Sequence, residues 1–103
     1  MDISDIKGKL SAGSFEFSEH AFCRTVERNI SDTDIREAGS CAEIIEEYPG
    51  DKYMPSCLVL GFTNNKRPLH LQVCYSKTDM IKIITLYEPS PELWLGFRER
   101  KKP

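Results

Sequence analysis

The alternation of apolar and polar residues is clearest between Arg67 and Pro89. Two strand-like runs, Pro68–Tyr75 and Met80–Tyr87, are separated by four residues of which Ser76, Thr78 and Asp79 favour turns, so the stretch predicts a β-hairpin. By the two-residue period, Leu69, Leu71, Val73 and Tyr75 form a core face, and His70, Gln72 and Cys74 lie on the other. Pairing Tyr75 with Met80 sets Cys74 opposite Ile81, Gln72 opposite Ile83, His70 opposite Thr85 and Pro68 opposite Tyr87. The polar face then carries His70, Gln72, Thr85 and Tyr87 beside Arg67, a mixed hydrogen-bonding surface at one end of the hairpin. The plain alternative for His70 and Gln72 is a solvent-facing strand.

Upstream the period lengthens. Ile3, Ile6 and Leu10 fall on one face of a short helix over Asp2–Ala12, closed by Gly13, and Phe15–Phe17 alternates as a brief extended segment. Ser18 is a good N-cap for a second helix over Glu19–Asn29, with Ala21, Phe22, Thr25 and Val26 on its apolar side. On another face of that helix His20, Arg24 and Arg28 recur every four residues, a row able to hold an anion or to remain a solvated face balanced by Glu19 and Glu27. Ser31 and Asp34 form a capping box for a third helix that turns Ile35 and Ala38 inward and stops at Gly39. Ala42–Tyr48 alternates as an edge strand with one wet face, and Pro49-Gly50-Asp51 turns it. Cys57–Thr63 is nearly all apolar and reads as an internal strand, with Asn64-Asn65-Lys66 as the turn into the hairpin. Short connections make neighbours in sequence neighbours in space. The expected fold is therefore a single α+β domain over residues 1–103, its N-terminal helices packed on a four-stranded antiparallel meander. Pro89 and Pro91 end the last strand, Glu92–Phe97 reads as a short helical turn folded back on the sheet around Trp94, and 98–103 is a basic tail.

Composition narrows the function classes. The chain has 103 residues, 40% hydrophobic and 29% charged, enough for one core. The net charge is -2, so no global positive field marks a nucleic-acid binder and any such binding must use a local patch. Cys23, Cys41, Cys57 and Cys74 are widely spaced and offer no local zinc chelate, so reduced thiols and no metal are expected. The acidic start without an apolar stretch, and the lack of a run long enough to span a membrane, point to a cytoplasmic protein without membrane contact.

HAFCR at 20–24, the Arg28–Ile30 step, SDTDI, EIIEEYP, LVLG, RPLH and IITLYEP form an ordered series. It resembles the bacterial family known as domain of unknown function 4258, over about residues 18–94. That family in turn is similar to the RelE/BrnT-like toxins, small α+β proteins of toxin–antitoxin systems that cut RNA without a metal. Toxins of that kind are commonly basic, whereas this chain gathers carboxylates in Glu43–Asp51. The helix before Ser18 lies outside the resemblance.

The resemblance implies a metal-independent endoribonuclease, with RNA and a cognate antitoxin protein as partners and no cofactor. Attack of an RNA 2′-hydroxyl on its own phosphodiester needs a base, an acid and cations on the phosphate. His20 and His70 are the only histidines and are assigned as base and acid in either order, with Tyr87 adding a hydroxyl. Arg24, Arg28 and Arg67 would hold phosphate, with Thr85 and Gln72 in support. This expects the two imidazoles to face one shallow cleft. The alternative is a non-catalytic binding module acting through the same polar face or a sheet edge.

Overall fold

A β-sheet with helices on one face organises the chain in the computed structural model, which describes residues 2–51 and 54–102. Met1, Lys52, Tyr53 and the last residue of the expected tail, Pro103, lie outside the described residues. The elements are α1 (Ile3–Ser11), β1 (Phe15–Phe17), α2 (Glu19–Glu27), α3 (Asp32–Ser40), β2 (Glu43–Tyr48), β3 (Ser56–Phe62), β4 (Pro68–Tyr75), β5 (Ile81–Tyr87), β6 (Trp94–Leu95) and β7 (Glu99–Arg100). The meander β2–β3–β4–β5 is antiparallel throughout, as its short turns require.

Two points of the sheet differ from the expectation. It has five strands in the order β1-β5-β4-β3-β2, because the Phe15–Phe17 segment pairs in parallel with β5 and makes the sheet mixed. Phe15 and Phe17 point with Ile81 and Ile83 into the core, which gives a three-residue strand enough apolar surface to be held at the edge. The register of the central hairpin also shifts. Its connection is five residues long, Tyr75 pairs with Ile81, and a bulge after Ile83 moves the pairing by one more residue. Gln72 therefore faces Thr85, and His70 faces Tyr87 rather than Thr85.

The core fills one side of the sheet. Ile6 and Leu10 of α1, Ile35 and Ala38 of α3, and Val59, Leu69, Leu71, Val73, Ile81, Ile83 and Leu86 are all fully buried there. Close approach in this layer relies on glycine. Gly39 lies inside α3 instead of ending it, because a Cβ there would come within 2.3 Å of Leu10 Cβ, and Gly61 of β3 lies directly under the backbone of Ala38. Both ends of the expected Ser31–Asp34 capping box are made.

The α2 helix does not lie across the sheet. Ser18 caps it by accepting from Ala21 N and also ties it to the β5 edge, donating N–H to Ile83 O and Oγ–H to Ile84 O. Running along that edge, the helix buries only Ala21 fully, whereas Phe22 and Val26, expected inward, are 59% and 71% exposed.

Candidate functional site

The face of the sheet opposite the helices carries the expected polar residues. Alternation and register place Glu43, Glu46 and Tyr48 of β2, Leu58 and Leu60 of β3, His70 and Gln72 of β4, and Thr85 and Tyr87 of β5 on it. It is not an open face at the His70 end. Residues 91–100 form a hairpin, β6 paired with β7, instead of the expected helical turn. Gly96 and Phe97 both take left-handed backbone angles at its tip, φ 59° and 62°, which a helix cannot accommodate and a tight hairpin turn requires. Arg98 and Arg100 belong to this hairpin, so the basic tail is folded for most of its length.

The hairpin closes over His70. The imidazole is fully buried, with Trp94 edge-on at 4.5 Å and Tyr87 edge-on at 5.2 Å between ring centres. Its Nε2 lies 2.7 Å from Phe97 O and its Nδ1 3.2 Å from Tyr87 Oη. A carbonyl can only accept, so Nε2 carries the proton, and Nδ1 of the neutral ring accepts from the Tyr87 hydroxyl. Burial lowers the pKa of His70 and raises that of Tyr87, so both are neutral near pH 7. At the rim, Arg100 binds Glu46 through two donors at 2.9 and 3.1 Å and lies 4.7 Å over the Trp94 ring; Tyr48 donates to the same carboxylate. The bond from Arg100 holds Glu46 below its usual pKa, and burial with the bond to Glu46 raises Tyr48. Arg98 pairs with Glu43 at 2.5 Å. Two of the three β2 carboxylates, Glu43 and Glu46, are thus paired locally with arginines. Tyr87 was marked in the sequence and Trp94 was read as folding back on the sheet, but the Phe97 carbonyl and the Arg98–Glu43 and Arg100–Glu46 pairs were not, because a tail and an edge strand give no signal of their pairing.

The expected arginines divide. Arg67 is an internal clamp: Nε donates to Glu88 at 2.6 Å, while Nη1 and Nη2 donate to Asn29 O and Arg28 O at 2.9 Å, with Asp34 3.6 Å away. Those two carbonyls are left over where α2 ends, with Asn29 in the left-handed conformation at φ 52° and Ile30 N bonding back to Thr25 O. A guanidinium also suits the negative end of a helix. Its phosphate-gripping fork is therefore already engaged within the protein. Arg24 is paired with Glu27 at 2.6 Å. Arg28 is exposed, its side chain makes no hydrogen bond or ion pair among the described residues, and its charge acts on the Tyr87 phenol.

His20 is exposed in the first turn of α2. That helix starts beside Ile83 and Ile84 and ends at the Arg67 clamp beside Glu88, so His20 and Arg28 are separated along the axis by about 12 Å. The structure brings together His70 and Tyr87, sets the backbone of Arg28 at the Arg67 clamp beside Glu88, and leaves His20 at the other end of α2. The expected cleft with two open imidazoles is not what forms, because the hairpin occupies one of them. Gln72 donates to Ser56, which donates to Asp51, and lines a cleft of about 480 Å³ with Tyr48, Gly50, Asp51 and Arg100. Neither His70 nor Tyr87 lines that cleft. Thr85 sits across from Gln72, one same-face pair along from His70 and Tyr87.

The sequence profile of the family described as domain of unknown function (DUF4258) matches residues 17–88. The chain belongs to the DUF4258 family. The match takes in α2, α3 and β2–β5, hence His20, Arg28, His70 and Tyr87, and leaves α1 and the C-terminal hairpin outside. Comparison with curated proteins and with solved structures gives no match. No disulfide is formed: Cys23 and Cys41 are exposed, while burial raises Cys74 and pushes Cys57 up to about 11, which keeps both buried thiols protonated. No group of three or more His, Cys, Asp or Glu side chains is arranged to hold a metal among the described residues, and no helix there is long and apolar enough to cross a membrane.

Proposed function

We propose that this DUF4258 protein is a toxin-like endoribonuclease that needs no metal, with RNA as substrate and an antitoxin as its natural partner. The observation that carries the reading is the Tyr87 hydroxyl bonded to the buried, neutral imidazole of His70; the charges of Arg100 and, more weakly, Arg28 act on the same phenol. In this reading the 2′-hydroxyl of a strand attacks the adjacent phosphorus. Its proton passes to the Tyr87 oxygen while the Tyr87 proton passes to Nδ1 of His70. The P–O5′ bond breaks, leaving a 2′,3′-cyclic phosphate on one fragment and, once the leaving oxygen is protonated, a 5′-hydroxyl on the other. Arg28 offsets the charge that builds on the pentacovalent phosphorus. Burial keeps the imidazole unprotonated near neutral pH, as a proton acceptor must be.

The experiment is incubation of purified protein, with the hairpin over His70 displaced by Arg98→Glu/Arg100→Glu, with single-stranded RNA in excess chelator. Cleavage with cyclic-phosphate ends is expected, lost in Tyr87→Phe and reduced by about one to two orders of magnitude in Arg28→Ala, the usual range for one acid–base or charge-stabilising group. A second reading, a non-catalytic binding module on the same fold, is favoured by one observation: both nitrogens of His70 are already bonded within the protein. RNA binding without cleavage, by the protein as isolated and with its hairpin displaced, would select that reading.

A further inference from the structure

The C-terminal hairpin is joined to the domain in an unusual way for a segment that buries a histidine completely. Its two strands pair only with each other and form no ladder with the five-stranded sheet. It is held instead by the Phe97 carbonyl on His70, by Trp94 and Phe97 against His70 and Phe62, and by the ion pairs Arg98–Glu43 and Arg100–Glu46. Both arginines of those pairs are more than half exposed, so their attraction is screened by salt. Leu93 and Leu95 point outward, 66% and 61% exposed, which leaves the outer side of the hairpin apolar as well as basic. The hairpin also lies beyond residues 17–88, whereas His70, Glu43 and Glu46, which it grips, lie within them.

Resting on the ribonuclease reading above, we infer that residues 91–100 form an autoinhibitory lid over His70. Closed, the lid leaves Tyr87 as the one proton-transfer group that substrate can reach, and cleavage by the 2′-hydroxyl needs two such transfers. Opening releases Nε2 of His70 from Phe97 O and presents the imidazole to the strand. The proton of the 2′-hydroxyl then passes to the Tyr87 oxygen as the Tyr87 proton passes to Nδ1 of His70, and the freed Nε2–H protonates the departing 5′-oxygen, leaving His70 as its other neutral tautomer. The lid is bistable because its contacts, the Phe97 carbonyl and a few side chains, cluster on one face, so they are lost together while the β2–β5 ladders remain intact.

The test uses the full chain and a probe that is independent of RNA. Diethyl pyrocarbonate acylates accessible neutral imidazoles, and peptide mass mapping reports His20 and His70 separately. His20, exposed, is the internal control. In the intact protein at low salt His70 should be unreactive. In Arg98→Glu/Arg100→Glu its rate should rise by about tenfold or more, the change expected from losing two exposed ion pairs, while the amides of Leu69, Leu71 and Val73 stay protected from hydrogen exchange. An unchanged His70 rate, or reactivity that appears only together with loss of that core protection, overturns the lid. The unmodified protein titrated with sodium chloride gives the same answer without substitution: a rise in His70 reactivity with the core still protected supports the lid, and a flat response overturns it. Open, reactive His70 with no RNA cleaved would leave the lid standing and remove the ribonuclease reading alone.

Discussion

Replacing Arg67 with alanine separates an internal clamp from a phosphate ligand. Its side chain is 29% exposed and gives charged donors to Glu88, Arg28 O and Asn29 O. At about 1.5–3 kcal/mol for each hydrogen bond involving a charged group, three would sum to roughly 5–9 kcal/mol if buried and independent. They are neither. Glu88 is about half exposed and regains water, which reduces that pair to at most about 1 kcal/mol. The two carbonyls at the end of α2 then account for about 1 kcal/mol each, so the expected loss is about 2–3 kcal/mol. For a domain of this size that corresponds to a fall in Tm of about 10–20 °C, read by thermal unfolding followed by circular dichroism. Arg67→Lys should recover only part of it, because one ammonium cannot span two carbonyls and a carboxylate. Arg28→Ala, which removes an exposed and unpaired side chain, should stay within about 0.5 kcal/mol of the parent. An Arg67→Ala protein as stable as the parent would refute the clamp and return Arg67 to the phosphate site.

Other consequences follow from the same packing. Gly61→Ala places a Cβ 2.0 Å from Ala38 O, a backbone atom that cannot swing away, and should destabilise by about 1–3 kcal/mol or more in urea unfolding; a neutral effect would mean that α3 does not rest on β3 as described. Ser18→Ala removes both the α2 cap and the bond to Ile84 O, with an expected cost of about 1–2 kcal/mol and faster amide exchange in the first turn of α2. For pH, burial holds the folded His70 pKa below its unfolded value of 6.5. The unfolded chain then binds the proton first, so this contribution is complete above about pH 6.5 and is lost as pH falls through the folded pKa. Glu46, lowered from 4.5 by Arg100, adds its own loss only below that range. Tm measured downward from pH 7.5 should begin to fall near 6.5 in the parent and show less of that fall in His70→Gln; identical profiles would contradict the neutral buried imidazole.

The central hairpin, the two flanking strands and the N-terminal helices were legible because each has enough residues for its period or cap to show. Leu69, Leu71 and Val73 as a core face needed nothing beyond alternation, whereas the expected register set Ile81 and Ile83 on the opposite face, across from Cys74 and Gln72. What was hidden depends on partners distant in sequence. Three residues at Phe15–Phe17 cannot announce a parallel pairing with β5, and a connection one residue longer than expected together with one bulge beside Ile84 moves His70 from Thr85 to Tyr87. The outward turn of Phe22 and Val26 reflects where α2 lies, at the sheet edge, which its own pattern does not encode. The site was half visible for the same reason. Residue types marked His70, Tyr87 and Arg28, but that Arg67 closes the end of α2 and that Phe97 takes the second nitrogen of His70 are properties of the folded arrangement.

The most direct test of the central claim is cleavage of single-stranded RNA in excess chelator by the full chain carrying Arg98→Glu/Arg100→Glu, with Tyr87→Phe in the same background as its partner. The account predicts fragments ending in 2′,3′-cyclic phosphate from the first protein and a loss of about two orders of magnitude or more in the second, with the fold of both intact. RNA left whole by the opened protein, or cut equally well without the Tyr87 hydroxyl, would contradict it.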